Sequence, residues 1–527
     1  MQRDPAQRDV VSATASFMLA AGRLRVVLAA GGLLSALGYA LGMPLVAGQG
    51  PRTHEGYVVL YLALFAVYLL VVRMVLRRPA ADRRTLGIIL GFALLFRLIV
   101  LPSPVILSSD LYRYLWDGRL QWSGVNPYRY PPAADALAPL RDPYVFPAIN
   151  RPAEPTVYPP GAEVVFALAA AVAPDSILGW RLFVLGCEAA TIILLLRLLR
   201  RMNVAASAVL VYAWSPLAVF EGVQAGHVDF VMLPLLLVAL GWRQTDRMVR
   251  AGLALALAVL VKLYPAVLLL VWQRRGSLRL PAAFVSVFAA AYLAYGSGVG
   301  SGVMGFLPRY FGPAEDFNIG LRAFVTETID WSLGRSGRAG LGRGAIELAE
   351  RWGYAKPGLR PARMLSAEQE TALRQKLAMP SGDLTEAIHA ELGHQIVRGL
   401  TMLAMCGALG VSLLVIGWRR RPGPDGVFEA SRAAVAAYLI LLPTAMHAWY
   451  AAWILPFLAV RPSPAWFWFT GAVSLSYLKY AWDGLPWWIR ALEFVPLYAL
   501  LLWQWRARRV PTGSPPRSRA GASSAGP

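Results

Sequence analysis

Long apolar runs recur along nearly the whole chain, and they limit the possible folds more than any other feature. Runs of spanning or near-spanning length occupy about residues 24–46, 57–77, 86–106, 178–198, 204–221, 229–243 and 280–297, then about 399–418, 431–446, 450–461, 464–480 and 490–506. Inside a bilayer every backbone N–H and C=O must be bonded within the protein, and runs of this length satisfy that as helices. The expectation is an all-α polytopic membrane protein with about twelve transmembrane helices. Composition agrees, because 57% hydrophobic and 15% charged residues leave a soluble body of 527 residues short of polar surface. The formal charge of +21 does not mark a nucleic-acid binder, since Lys and Arg fall in short clusters between apolar runs and form no basic domain. Cys187 and Cys406 both lie within apolar runs, which favours buried thiols over disulfide, redox or metal roles.

Arginine placement sets the expected orientation. Arg23, Arg25 and the stretches 77–84, 197–201, 242–250, 418–422 and 506–509 all fit one side, which the positive-inside rule makes the cytoplasm. No cleavable signal peptide is expected, because the first apolar run follows a polar stretch and leads into further spans. Two segments break the alternation if they cross. Residues 158–173 therefore read as an interfacial helix, and 251–272 as a re-entrant pair hinged at Pro265. The resulting organisation is a cytoplasmic N-terminus (1–23), an N-terminal transmembrane part (24–300) with an extracytoplasmic loop at 107–177, an extracytoplasmic insertion (301–398), a C-terminal transmembrane part (399–506) and a disordered basic tail (507–527).

That orientation gathers chemistry on one face. The stretch 108–132, SSDLYRYLWDGRLQWSGVNPYRYPP, holds two acids, three arginines and six aromatic residues directly after an apolar run. Asp110 sits where the third span emerges, between water and low dielectric, a setting that makes an aspartate a better base. Helix capping is the plain alternative. Arg113, Asp117 and Arg119 follow at three- and four-residue steps, so a helix brings them onto neighbouring turns. Tyr112 and its aromatic neighbours read equally as an interfacial belt or as faces that stack on sugar rings. Glu221, His227 and Asp229 in EGVQAGHVD stand at a span-to-span turn, where ionisable groups mark function when they face a cavity. His447 and Tyr450 begin a later span, Lys262 lies in the re-entrant pair, and Asn318 and Arg322 are weaker candidates. No phosphate loop, zinc pattern or Ser-His-Asp order is present.

Together these motifs resemble the GT-C superfamily of polytopic glycosyltransferases, closest to bacterial mannosyltransferase-like members. The resemblance is carried by 108–132 with VYPPGAEVVFALA (157–169), EGVQAGHVDFVML (221–233), LVKLYP (260–265), FNIGLRAF (317–324) and HAWYAAWILP (447–456). It implies an enzyme of the bacterial inner membrane that moves a hexose, mannose favoured, from a polyprenyl-phosphate sugar to an extracytoplasmic hydroxyl on a glycolipid, polysaccharide or protein. Asp110 would be the general base, with Asp117 as second choice. Tyr112, Arg113, Arg119, Glu221, His227, Asp229, Lys262, His447 and Tyr450 would bind substrate. Arg113, Arg119, Lys262 and His447 would offset the charge of the leaving phosphate, with inversion at the anomeric carbon. The lipid-linked sugar is the expected partner, no cofactor is implied, and metal dependence stays open. Superfamily members carry this loop after the first span, whereas here it follows the third. A transporter or flippase of lipid-linked sugars is the alternative, and it requires symmetry between the halves that the sequence lacks. A non-catalytic lipid-binding or assembly protein would keep the aromatics without needing Asp110.

Overall fold

The computed structural model describes residues 5–47, 51–274, 276–312, 315–318, 320–354, 366, 370–371, 374–375, 384–441, 445–482 and 484–507, with side chains from residue 22 onward except at 51 and 52. The tail beyond 507 and most of 355–383 lie outside the described residues. Among these residues the chain is helical, with isolated bridges only, so the all-α polytopic membrane expectation holds.

In chain order the main helices are α1 (Pro5–Val46), α2 (Pro51–Arg77), α3 (Arg83–Val100), α4 (Asp110–Trp122), α5 (Pro160–Val172), α6 (Ile177–Arg201), α7 (Asp229–Gln244) and α8 (Met248–Val261). They continue as α9 (Arg279–Gly296), α10 (Leu321–Arg351), α11 (Leu384–Arg419), α12 (Gly423–Leu441), α13 (Pro464–Ala472) and α14 (Trp487–Ala507). Among the described residues five helices are long and apolar enough to cross a bilayer, and a sixth crossing results if Ala206–Ala213 and Pro216–Gln224, bent by 55°, count as one. Each further expected crossing is filled by helix that is shorter, broken or charged.

The charge in α3 shows why. Arg97 donates to both carboxylate oxygens of Glu188 on α6, at 2.8 and 3.0 Å, and to the Ala213 carbonyl at 2.8 Å. All of this is buried, so the ion pair fixes how three membrane segments meet. The bend after Ala213 has a backbone cause: Pro216 has no N–H to continue the helix, and a new turn begins on it.

The chain expected to hinge at Pro265 instead breaks at Lys262, whose backbone is extended (φ −149°, ψ 127°). Pro265 cannot donate the bond that would extend α8, so the helix stops earlier and Pro265 opens the next turn, Tyr264–Ala266. Helix α5, 13 residues or about 20 Å long, is too short for a hydrocarbon core of about 30 Å and packs against α4. In the insertion, α10 pairs with α11, which continues through residues 398 and 399. Asp316 ties the preceding loop to both, accepting from Arg322 and Arg398 at 2.6 Å each.

Candidate active site

A cavity of about 440 Å³ opens where α4, the 148–159 loop, the Lys262 break, the 306–317 segment and the 447–453 turn converge. The loops are joined by backbone bonds, Phe306 N–H to the Thr156 carbonyl at 2.9 Å and Met446 N–H to the Phe317 carbonyl at 2.8 Å. Gly305 makes the first approach possible: its φ of 52° suits glycine, and a Cβ there would collide with the Thr156 carbonyl.

Asp110 is the first residue of α4, and its backbone N–H meets the Ser108 hydroxyl at 3.3 Å. Its carboxylate lines the cavity and is 20% exposed. Asn150 donates to Oδ1 at 2.6 Å, while Oδ2 lies 3.8 Å from His227 Nδ1. One turn on, Arg113 presents Nε to both oxygens of Asp117 at 2.9 Å and Nη1 to the Glu154 carbonyl at 3.0 Å. Its buried Nη2 has no protein partner among the described residues, and the side chain lines the cavity. A buried N–H without a partner is costly, and an anion in the cavity would satisfy it.

Asp117 itself lies behind the cavity wall, beside Glu163 of α5. Burial raises the proton affinity of both. Burial first and the neighbouring Asp117 second lift Glu163 well above the ordinary carboxylate range, whereas Arg113 opposes the rise at Asp117. Glu163 therefore holds the proton, and Asp117 is the anion that fixes Arg113. That makes Asp117 a support for the cation.

The opposite wall is aromatic. Tyr264, Trp453 and Tyr450 stack in one slab, with centroids 3.7 and 4.4 Å apart. His227, Trp449 and His447 form a second, at 3.8 and 4.3 Å. Lys262 lies 4.9 Å over the Tyr450 ring, its Nζ 3.1 Å from Asp229 Oδ2, while Trp453 Nε1 donates to Asp229 Oδ1 at 2.7 Å. Tyr310 meets Tyr450 hydroxyl to hydroxyl at 3.1 Å. Two further cations reach the cavity, Arg151, bonded to Glu315 at 3.0 Å, and Lys479, 4.3 Å over Phe317.

Of the residues picked out in the sequence, the structure thus brings Asp110, Arg113, Lys262, His447 and Tyr450 to one cavity. Glu221, His227 and Asp229 are buried behind it. Two roles change. Arg119 points away, bonded to Asp142 at 2.5 Å and Asp175 at 2.8 Å, and Tyr112 does not line the cavity. His447 is placed in the wall, but burial first, then Lys262, His227, Arg151 and Lys479, push its imidazole well below the ordinary histidine range, so it is neutral and supplies no charge. Asn318 and Arg322 hold structure, at 2.6 Å from Glu493 and from Asp316. Asn150, Arg151, Tyr310 and Lys479 were not picked out, as lone loop or helix-end residues with no spacing to mark them. Among the described residues no trio of His, Cys, Asp or Glu is placed to hold a metal ion.

No curated protein and no solved structure matches the chain. Residues 11–273, which include Asp110, Arg113 and Lys262, match the family model described as alpha-(1->6)-mannopyranosyltransferase, N-terminal domain. Residues 11–273 belong to this family of mannosyltransferases.

Proposed function

We propose that this membrane mannosyltransferase takes mannose from a polyprenyl-phosphate donor and transfers it, with inversion, to an acceptor hydroxyl activated by Asp110 on the extracytoplasmic face. The observation that carries the reading is a mostly buried carboxylate facing a cavity whose walls also hold Arg113, Arg151, Lys262 and Lys479. A phosphate leaving group departs as a stable anion, so its loss needs cations and no acid. The unpartnered Arg113 Nη2 suits one of its oxygens. Asp110 Oδ2 takes the acceptor proton as the acceptor oxygen attacks the anomeric carbon from the face opposite the phosphate. The new carbon–oxygen bond forms as the bond to phosphate breaks, which inverts that carbon. The aromatic slabs give the sugar a flat wall, and the short interfacial helix α5 holds α4 at the depth where a lipid-borne donor arrives.

The test is transfer of labelled mannose from a panel of polyprenyl-phosphate sugars, using membranes that contain the intact protein or Asp110→Asn. The variant should lose at least ~10²-fold in kcat, the scale of a general base, at unchanged protein level. Turnover by Asp110→Asn equal to that of the unaltered protein would remove Asp110 as the base, and consumption of sugar nucleotides instead would remove the lipid-linked donor.

A further inference from the structure

Behind Asp110 lies a buried imidazole between two acids. His227 has no exposed surface, its Nδ1 is 3.8 Å from Asp110 Oδ2, and its Nε2 is 3.2 Å from Glu221 Oε2. Neither nitrogen makes a well-directed hydrogen bond. Glu221 is buried as well, its other oxygen accepting from the Tyr477 hydroxyl at 2.7 Å.

The turn that carries His227 is firmly held. Trp180 Nε1 donates to the Gly226 carbonyl at 2.7 Å, Gln224 donates to the Pro104 carbonyl at 2.8 Å, and the His227 N–H bonds the Glu221 carbonyl at 3.1 Å. Gly226, at φ 74°, has no room for a Cβ, which would sit 2.9 Å from the Trp180 indole nitrogen. Packing alone does not account for this histidine. Its face stacks on Trp449, which a phenylalanine would do as well, without burying two nitrogens that lack good hydrogen bonds.

We propose that His227 is a positioning residue that acts through Asp110: it receives the proton that Asp110 takes from the acceptor, and Glu221 balances the resulting imidazolium. This rests on Asp110 being the base. The steps balance as follows. The acceptor O–H gives its proton to Asp110 as its oxygen bonds the anomeric carbon and the lipid phosphate leaves with the bonding pair. Protonated Asp110 then passes that proton to His227 Nδ1, becoming a carboxylate again, and Nε2–H is held by the Glu221 carboxylate. As products leave, the imidazolium releases the proton through Asp110 to water in the cavity. The 3.8 Å separation is longer than a hydrogen bond, and the transfer needs the pair to close by about 1 Å when substrate binds, a tightening common for catalytic contacts.

The ionisable groups that face the imidazole are Asp110 from α4, Glu221 from its own turn and, across Trp449, His447, which itself feels Lys262. His227 in turn is within electrostatic reach of His447.

The experiment measures kcat and KM against pH, in H₂O and D₂O, for transfer from a polyprenyl-phosphate mannose by membranes with the full chain, His227→Phe, Glu221→Gln or Asp110→Asn. His227→Phe should lower kcat about tenfold to a hundredfold, leave the donor KM within about twofold, raise the solvent isotope effect and alter the pH dependence of kcat. Glu221→Gln keeps the Tyr477 contact and removes the charge, and it should alter the same pH dependence. Unchanged kcat and pH profile in His227→Phe overturn the relay while leaving Asp110 as base if Asp110→Asn is dead. Activity in Asp110→Asn sinks the underlying reading itself. If His227→Phe does not accumulate, Glu221→Gln decides: a pH profile identical to the unaltered protein overturns the proposal.

Discussion

A single proton separates the two acids beneath Arg113. Glu163 accepts from the Thr156 hydroxyl at 2.7 Å and from Gln121, and its raised proton affinity keeps it neutral while Asp117 stays paired with Arg113. A carboxyl whose folded proton affinity exceeds its unfolded one contributes stability that is complete below the unfolded pKa, about 4.3, and is lost as pH rises toward the folded value. Glu163→Gln supplies an N–H to Asp117 with no proton to bind. It should therefore raise the melting temperature in detergent at pH 7 to 8 and flatten its decline from pH 5 upward, as a thermal-shift series would record. At this scale the sequence was readable in part. Asp110, Arg113, Lys262, His447 and Tyr450 stood out because ionisable and aromatic groups are rare beside spans. Glu163 did not, being one acid in an apolar helix whose partner is 46 positions earlier, at Asp117.

Between elements, the contact that matters most for the site is α4 on α5. Gly118 lies against the α5 backbone, where a Cβ would be 2.5 Å from the Phe166 carbonyl and 3.0 Å from the Ala170 methyl. Gly118→Val should lift α4 and carry Asp110 and Arg113 out of register. Overpacking of this kind costs about 1–3 kcal/mol, so protein should still accumulate while kcat/KM falls at least about tenfold. A purified variant with normal turnover would show that α4 tolerates the shift. Elements were legible in the sequence wherever an apolar run was unbroken, as in α2 and α6. The break at Lys262 was displaced from its expected place because a proline ends the preceding helix through a missing N–H several residues upstream of itself.

For the whole molecule, the arginine clusters and the cavity lie at different loop sets, and the positive-inside rule predicts that they stand on opposite faces of the bilayer. Cysteines placed at the exposed Trp331 and, separately, at Arg274 test this in a background without Cys187 and Cys406. A membrane-impermeant maleimide should label the first in intact cells and the second only after permeabilisation, and the reverse pattern would invert the topology. The overall class was readable from hydropathy alone, whereas the number of full-length crossings was not. Buried pairs such as Arg97 with Glu188, and turns opened by prolines, convert apolar runs into bent or short helices without changing their composition much. The cavity also draws its wall from two stretches of the chain. Asp110, Arg113, Asn150 and Lys262 belong to the stretch that the family model covers, while Tyr438, His447, Tyr450, Trp453 and Lys479 come from beyond residue 273. On the proposed function, the base, Arg113 and Lys262 lie in one stretch and most of the aromatic wall in the other, with Tyr264 of the first stacked on Trp453 of the second. A chimaera that takes its second stretch from a relative is then expected to present a different surface to the sugar while Asp110 and Arg113 stay in place.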